Sequence, residues 1–143
     1  MRAALERHRP VFALLGFSQG ATAAALYASR CTTDPSLPAP QCVIAVSGFM
    51  PRDATLSAEL RARGVAMPAL HVLGAADGII PRERSEELAA CCGAARVHVH
   101  PGGHFMPTCS GAFKQEVLSF VDGVLAAAVD AGGAGSDPVQ SAL

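Results

Sequence analysis

The sequence predicts an α/β fold, a mostly parallel sheet flanked by helices. Three observations predict it. Short continuous apolar runs alternate along the chain with segments of helical pattern. Runs such as "VFALLGF" are bounded by Pro and Gly and read as strands covered on both faces. Glycine-containing turns follow the runs, where a strand hands over to a helix or loop. With 143 residues, half of them hydrophobic, the chain suits one globular domain with a sizeable core. Its boundaries are expected at 1–130, with a disordered Gly/Ser/Ala/Pro tail over 131–143.

Each element has its own signal. Residues 3–8 read as a surface helix that stops at Pro10, because a proline disfavours helix at the residue before it. "VFALLGF" (11–17) is the first strand, and the alanine-rich "SQGATAAALYASR" (18–30) is a helix suited to close packing. The three prolines of "CTTDPSLPAPQ" (31–41) make a loop. "CVIAVSGF" (42–49) is the second strand, and "MPRDATLSAELRARG" (50–64) a loop followed by a short helix ending near Gly64. "PALHVLGAAD" (68–77) is a third strand with its glycine turn. "PRERSEELAACCG" (81–93) is a helix with Pro81 at its first position and Gly93 as terminator. "ARVHVHPGGH" (95–104) is a fourth strand running into a glycine loop. Residues 111–130 form an amphipathic helix with Phe113, Val117, Phe120, Val121, Val124 and Leu125 at helical spacing.

Composition excludes several classes. A formal net charge of -1, no basic patch and 5% aromatics argue against nucleic-acid binding. No apolar run approaches the ~20 residues of a membrane span, and "MRAALERHRP" lacks a signal-peptide core, so no membrane partner is expected. Five cysteines without a Cys-x-x-Cys pair are not a disulfide framework, which points to the cytoplasm, with the nucleus a further compartment.

In parallel α/β sheets, ligands bind beyond the carboxyl ends of the strands. The segments that follow each strand are therefore the candidates. After the first comes "GFSQGA" (16–21), a Gly-x-Ser-x-Gly turn between strand and helix. This is the pattern of a nucleophile elbow, where crowding demands small neighbours and the bend lifts the serine hydroxyl above the sheet. Ser18 is the candidate nucleophile, and the Gln19 N–H, at the start of a helix, the candidate oxyanion donor. The plainer alternative is a turn with a serine helix cap.

A serine nucleophile needs a base and an acid, in the order Ser, Asp/Glu, His for this kind of elbow. Asp77 follows the third strand; a turn aspartate before Gly78 is the alternative, and Asp34 and Asp53 are weaker rivals. His104 lies beyond the fourth strand, where Gly102 and Gly103 allow the chain to turn its ring back over the sheet. His100 is the runner-up, whereas His8 precedes the elbow and His71 lies inside a strand. His98, His100 and His104 have no carboxylate or cysteine at a familiar spacing to complete a zinc site, so no metal and no other cofactor is expected.

At these residues the chain resembles the serine hydrolase FSH-domain family of α/β-hydrolases, which includes ovarian-cancer-associated-gene-2-like esterases. The matching segments are "GFSQGA" (16–21), "VSGFMP" (46–51), "LHVLGAADGIIP" (70–81) and "HPGGHFMPT" (100–108). The resemblance implies an α/β-hydrolase fold with Ser18, Asp77 and His104 as its triad. It also implies hydrolysis of a carboxylic ester, or of a thioester. Ser47, Phe49, Met50 and Phe105 are candidates to line a pocket for a small apolar acyl group; for Phe49 and Met50 a plain core role is the equal alternative.

The family pattern has a strand and loop ahead of the elbow that supply a second oxyanion donor, and only ten residues precede the first strand here. The chain is thus expected to be N-terminally truncated and to lack those strands. Its first strand would be an exposed edge open to self-association, and one lost donor would cost roughly 10²–10³ in turnover. The competing functional readings are a catalytically impaired hydrolase-like module that binds or interacts, and the same triad serving peptidase or lipase chemistry.

Overall fold

A computed structural model describes residues 1–8 and 10–133 of the chain. Its elements, in order, are α1 (Arg2–Arg7), β1 (Ala13–Phe17), α2 (Gln19–Thr33), β2 (Cys42–Val46), α3 (Ala54–Arg63), β3 (Ala69–Gly74), α4 (Arg82–Ala89), β4 (Ala95–His100) and α5 (Gly111–Gly133). The predicted elements are present in the predicted order. Several boundaries differ: α2 runs on to Thr33, β2 stops at Val46, and α4 ends at Ala89, four residues before the expected terminator Gly93. Pro81 caps α4 from outside with an extended ψ of 139° instead of occupying its first turn. α5 runs through residue 133, past the expected domain end at 130, and residues 134–143 of the expected tail lie outside the described residues.

Among the described residues the four strands form one sheet in the order β1-β2-β3-β4, every pair parallel. Alternate residues of each strand serve opposite faces. Val43, Ala45 and Ala69 point to one face, covered by Ala21, Ala24, Ala25 and Ala28 of α2 with Leu60 of α3 and Leu88 of α4. Four alanines on one side of α2 let the helix axis approach the sheet closely. Cys42, Ile44, Val46, Leu70 and Val72 point to the other face, under Phe120 and Val124 of α5.

The central strands β2 and β3 are buried along their whole length, which is why their sequences are apolar without alternation. The outer strands are not. Leu15 of β1 is 61% exposed, and Phe17, Val97 and Val99 are exposed as well. Among the described residues β1 is therefore an apolar edge strand. The parallel register has one consequence for chemistry: residues 18, 47, 77 and 104 all follow carboxyl ends of strands and gather at one end of the sheet.

Candidate active site

Ser18 sits where β1 gives way to α2. Its backbone has φ 53° and ψ -120°, a conformation that costs of order 1–3 kcal/mol for a residue with a side chain. The surroundings enforce it. The Ser18 N–H donates to the Val46 carbonyl at 2.8 Å, tying the turn to β2, and the Ser18 carbonyl accepts from Ala21 at 3.0 Å. Gly16 is required here: a Cβ at that position would collide with the Gly20 carbonyl and the Ala21 N–H. The neighbouring strand end repeats the motif, because Ser47 also has positive φ, 48°.

The three predicted triad residues come together. Ser18 Oγ lies 3.0 Å from His104 Nε2, and His104 Nδ1 lies 2.8 Å from Asp77 Oδ2. In the neutral tautomer that suits this chain, Nδ1–H donates to the carboxylate and the serine hydroxyl donates to Nε2. The other Asp77 oxygen accepts the N–H groups of Ile79 and Ile80, each at 2.9 Å. Burial pushes the Asp77 carboxyl up, but the Ile80 N–H, His104 and the Ile79 N–H together hold it below the ordinary carboxylate value. Asp77 and His104 side chains are 4% and 12% exposed. The Phe17 ring packs on the His104 imidazole at 4.9 Å between centroids.

The loop that carries His104 is fastened to the end of β3. Ala75 and Ala76 donate to the carbonyls of His100 and Gly102 at 2.8 and 3.0 Å. Gly74 permits this approach, since a Cβ there would lie 2.5 Å from the Gly103 carbonyl oxygen and 2.6 Å from that of Gly102.

Beside Ser18 lies a cavity of about 470 Å³, lined mostly by apolar groups of Leu26, Phe49, Pro51, Leu56, Ile79 and Ile80, with Thr22, Arg52 and Asp53 also on its wall. Gln19 also lines it, and as the first residue of α2 its N–H has no acceptor within the helix. Of the four predicted pocket residues only Phe49 lines this space. Ser47 is 1% exposed and Met50 2% exposed. The left-handed turn at Ser47 directs its side chain inward, and Met50 belongs to the core beneath α2 and α4, against the Cys91 thiol. Phe105 faces a separate hollow with His98 and Phe113 and packs on the His100 ring.

Asp34, Asp53, His71 and His98 have other partners, although Asp53 also lines the cavity beside Ser18. Asp34 accepts from Ser36 at the far end of α2, and Asp53 caps α3 through the Leu56 N–H at 2.9 Å. His71 is buried against the Cys92 thiol at 3.4 Å, and His98 stacks on Phe113. Among the described residues no group of three His, Cys, Asp or Glu is placed to hold a metal ion, and no helix is long and apolar enough to cross a membrane.

Sequence reasoning missed the walls supplied by α2 and by the loop after Asp77. Thr22, Ala23 and Leu26 lie three, four and seven residues after Gln19, the stripe of one helix face, and that signal could have found them.

A parallel sheet with helices on both faces and a strand–serine–helix elbow at its carboxyl end defines an α/β-hydrolase. Residues 1–116 match the family model "Serine hydrolase (FSH1)", and the chain belongs to that family. It is 40% identical over 120 residues to human "Esterase OVCA2", a match covering 83% of this chain and 52% of that protein. It is 34% identical over 111 residues to "Esterase CG5412" of Drosophila melanogaster, covering 78% and 39%. The chain thus spans about half the length, or less, of these curated relatives. Among solved structures, esterase PE8 superposes with a TM-score of 0.54 at 29% identity, covering 78% of this chain and 49% of that one. The Pyrococcus furiosus esterase PF2001 superposes with a TM-score of 0.60 at 14% identity, covering 86% and 58%, a likeness of fold alone.

Proposed function

We propose that the chain is a serine esterase or thioesterase acting on a small apolar acyl group through an acyl-enzyme. The observation that carries this reading is the hydrogen-bonded chain Ser18–His104–Asp77 at the mouth of an apolar cavity. His104 takes the Ser18 proton as Oγ attacks the carbonyl carbon, and Asp77 stays ionised and steadies the imidazolium. The Gln19 N–H donates to the oxyanion that forms. Collapse expels the alcohol or thiol, which receives the proton from His104. Water then attacks the acyl-serine with His104 as base, releasing the acid and restoring Ser18. The apolar walls favour a hydrocarbon acyl group over a charged one.

The test is labelling by a fluorophosphonate probe together with turnover of p-nitrophenyl butyrate. Wild-type protein is expected to do both and Ser18→Ala neither. Equal labelling of the two proteins removes Ser18 from the mechanism. The exposed edge of β1 supports a second reading, an interaction module that pairs with another copy of itself, and folded protein without ester turnover favours that reading.

A further inference from the structure

The loop after β3 performs two tasks with the same residues. Its backbone holds the triad acid: the N–H groups of Ile79 and Ile80 both donate to Asp77 Oδ1, while Oδ2 accepts from His104. Its side chains wall the cavity beside Ser18. Ile80 is tucked into the protein, whereas Ile79, which also lines the cavity, is 68% exposed. The turn between them and Asp77 is open on its outer side, where a Cβ at Gly78 would meet nothing within 4 Å. On its inner side the loop is held by buried Ile80, by the Asp77 N–H on the Gly74 carbonyl and by the two bonds to Asp77 Oδ1, which leaves the Ile79 side chain as its open contact toward the cavity.

We propose that Ile79 is a positioning and specificity-determining residue that couples occupation of the acyl cavity to the orientation of Asp77. This rests on reading the cavity beside Ser18 as the acyl site. An acyl chain long enough to fill the cavity covers the Ile79 side chain. That contact is made best when the loop sits where its N–H groups bond Asp77 Oδ1, which holds Oδ2 on His104 Nδ1. A two-carbon acyl group does not fill the cavity and leaves the Ile79 side chain uncovered. Chain length then acts on the chemical step as well as on binding, so it is read in kcat and not only in KM.

The size of the effect follows from exposure. Covering the two-thirds of an isoleucine side chain that water now reaches corresponds to about 5- to 30-fold in kcat/KM. The experiment measures kcat and KM for p-nitrophenyl acetate and p-nitrophenyl octanoate with wild type, Ile79→Ala and Ile79→Leu. In Ile79→Ala the octanoate-to-acetate ratio of kcat/KM is expected to fall by about 5- to 30-fold, with about threefold or more of the fall in kcat. Ile79→Leu keeps both ratios near wild type. An unchanged ratio of kcat, whether activity drops equally on both esters or the loss lies wholly in KM, overturns the proposal. A second measurement needs no turnover, so it separates this inference from the assignment of catalysis. In one-dimensional proton NMR, octan-1-ol is expected to slow solvent exchange of the downfield His104 Nδ1 proton in wild type and not in Ile79→Ala. The same response in both proteins, or none in wild type, overturns the coupling.

Discussion

Gly74→Ala tests whether the approach of two backbone segments sets the catalytic geometry. The new Cβ would stand 2.5 Å from the Gly103 carbonyl oxygen and 2.6 Å from that of Gly102, where ordinary contact begins at 3.4 Å and real contacts essentially never fall below 3.0 Å. Both neighbours are backbone and cannot rotate aside. The segment must therefore retreat by 0.5 Å (3.0 minus 2.5) to 0.9 Å (3.4 minus 2.5). His104 follows Gly103 directly, and its Nε2 now lies 3.0 Å from Ser18 Oγ. A retreat of that size along the bond stretches it to about 3.5–3.9 Å, outside hydrogen-bonding range. Misplacing a catalytic group by about 1 Å costs on the order of 10² in rate. We therefore expect kcat/KM on p-nitrophenyl butyrate, and the rate of fluorophosphonate labelling, to fall about 100-fold. The protein should remain folded, with a stability loss of about 1–3 kcal/mol from overpacking. Gly123→Ala is the control: a Cβ there meets nothing within 4 Å, and the position lies inside α5, where alanine is the better helix former. A folded Gly74→Ala protein labelled at the wild-type rate would refute the reasoning.

Two further outcomes are expected. Burial depresses the His71 imidazole from 6.5 to about 4, so below pH 6.5 the unfolded chain binds a proton that the folded chain refuses. Stability should fall as the pH drops from 6.5 toward 4, by about 3 kcal/mol from this group; thermal melts across that range should show a steeper slope for wild type than for His71→Gln, and equal slopes would remove His71 as the cause. The apolar edge of β1 should drive concentration-dependent self-association in size-exclusion chromatography, and Leu15→Lys should weaken it, since edge lysines block strand addition; a wild-type monomer at every concentration would show that this edge is not a pairing surface.

The fold was legible because its information is local. β2 and β3 are buried on both faces, so their sequences are unbroken apolar runs, and α5 carries its sheet-facing residues at helical spacing. The gathering of Ser18, Asp77 and His104 was legible for a topological reason. A parallel sheet brings the residues after every strand to one end, so position relative to a strand end is enough to place Ser18, Asp77 and His104 together. The cavity was less legible, because its walls depend on side-chain direction. Ser47 and Phe49 are two residues apart, yet the left-handed backbone at Ser47 sends one inward while the other reaches the cavity. No residue type announces that turn, since serine adopts it only under the constraint of its neighbours. Phe105 adjoins His104, but the glycine loop turns its ring to the opposite hollow. Asp77 could be read as a triad acid from its place in the chain. That the two isoleucines after it both hold its carboxylate and wall the cavity required three-dimensional distances.

The bond between Ser18 and His104 joins residues 86 positions apart. During synthesis at about 5–20 residues per second, the serine leaves the ribosome roughly 4–17 s before the histidine it bonds. The intervening chain includes β2, β3 and the acid, and the base arrives only with β4 and the loop beyond it. A serine hydroxyl without its base is a feeble nucleophile. On the proposed mechanism the nascent chain is thus chemically quiet until β4 has docked, and the late placement of one histidine acts as a timer on reactivity.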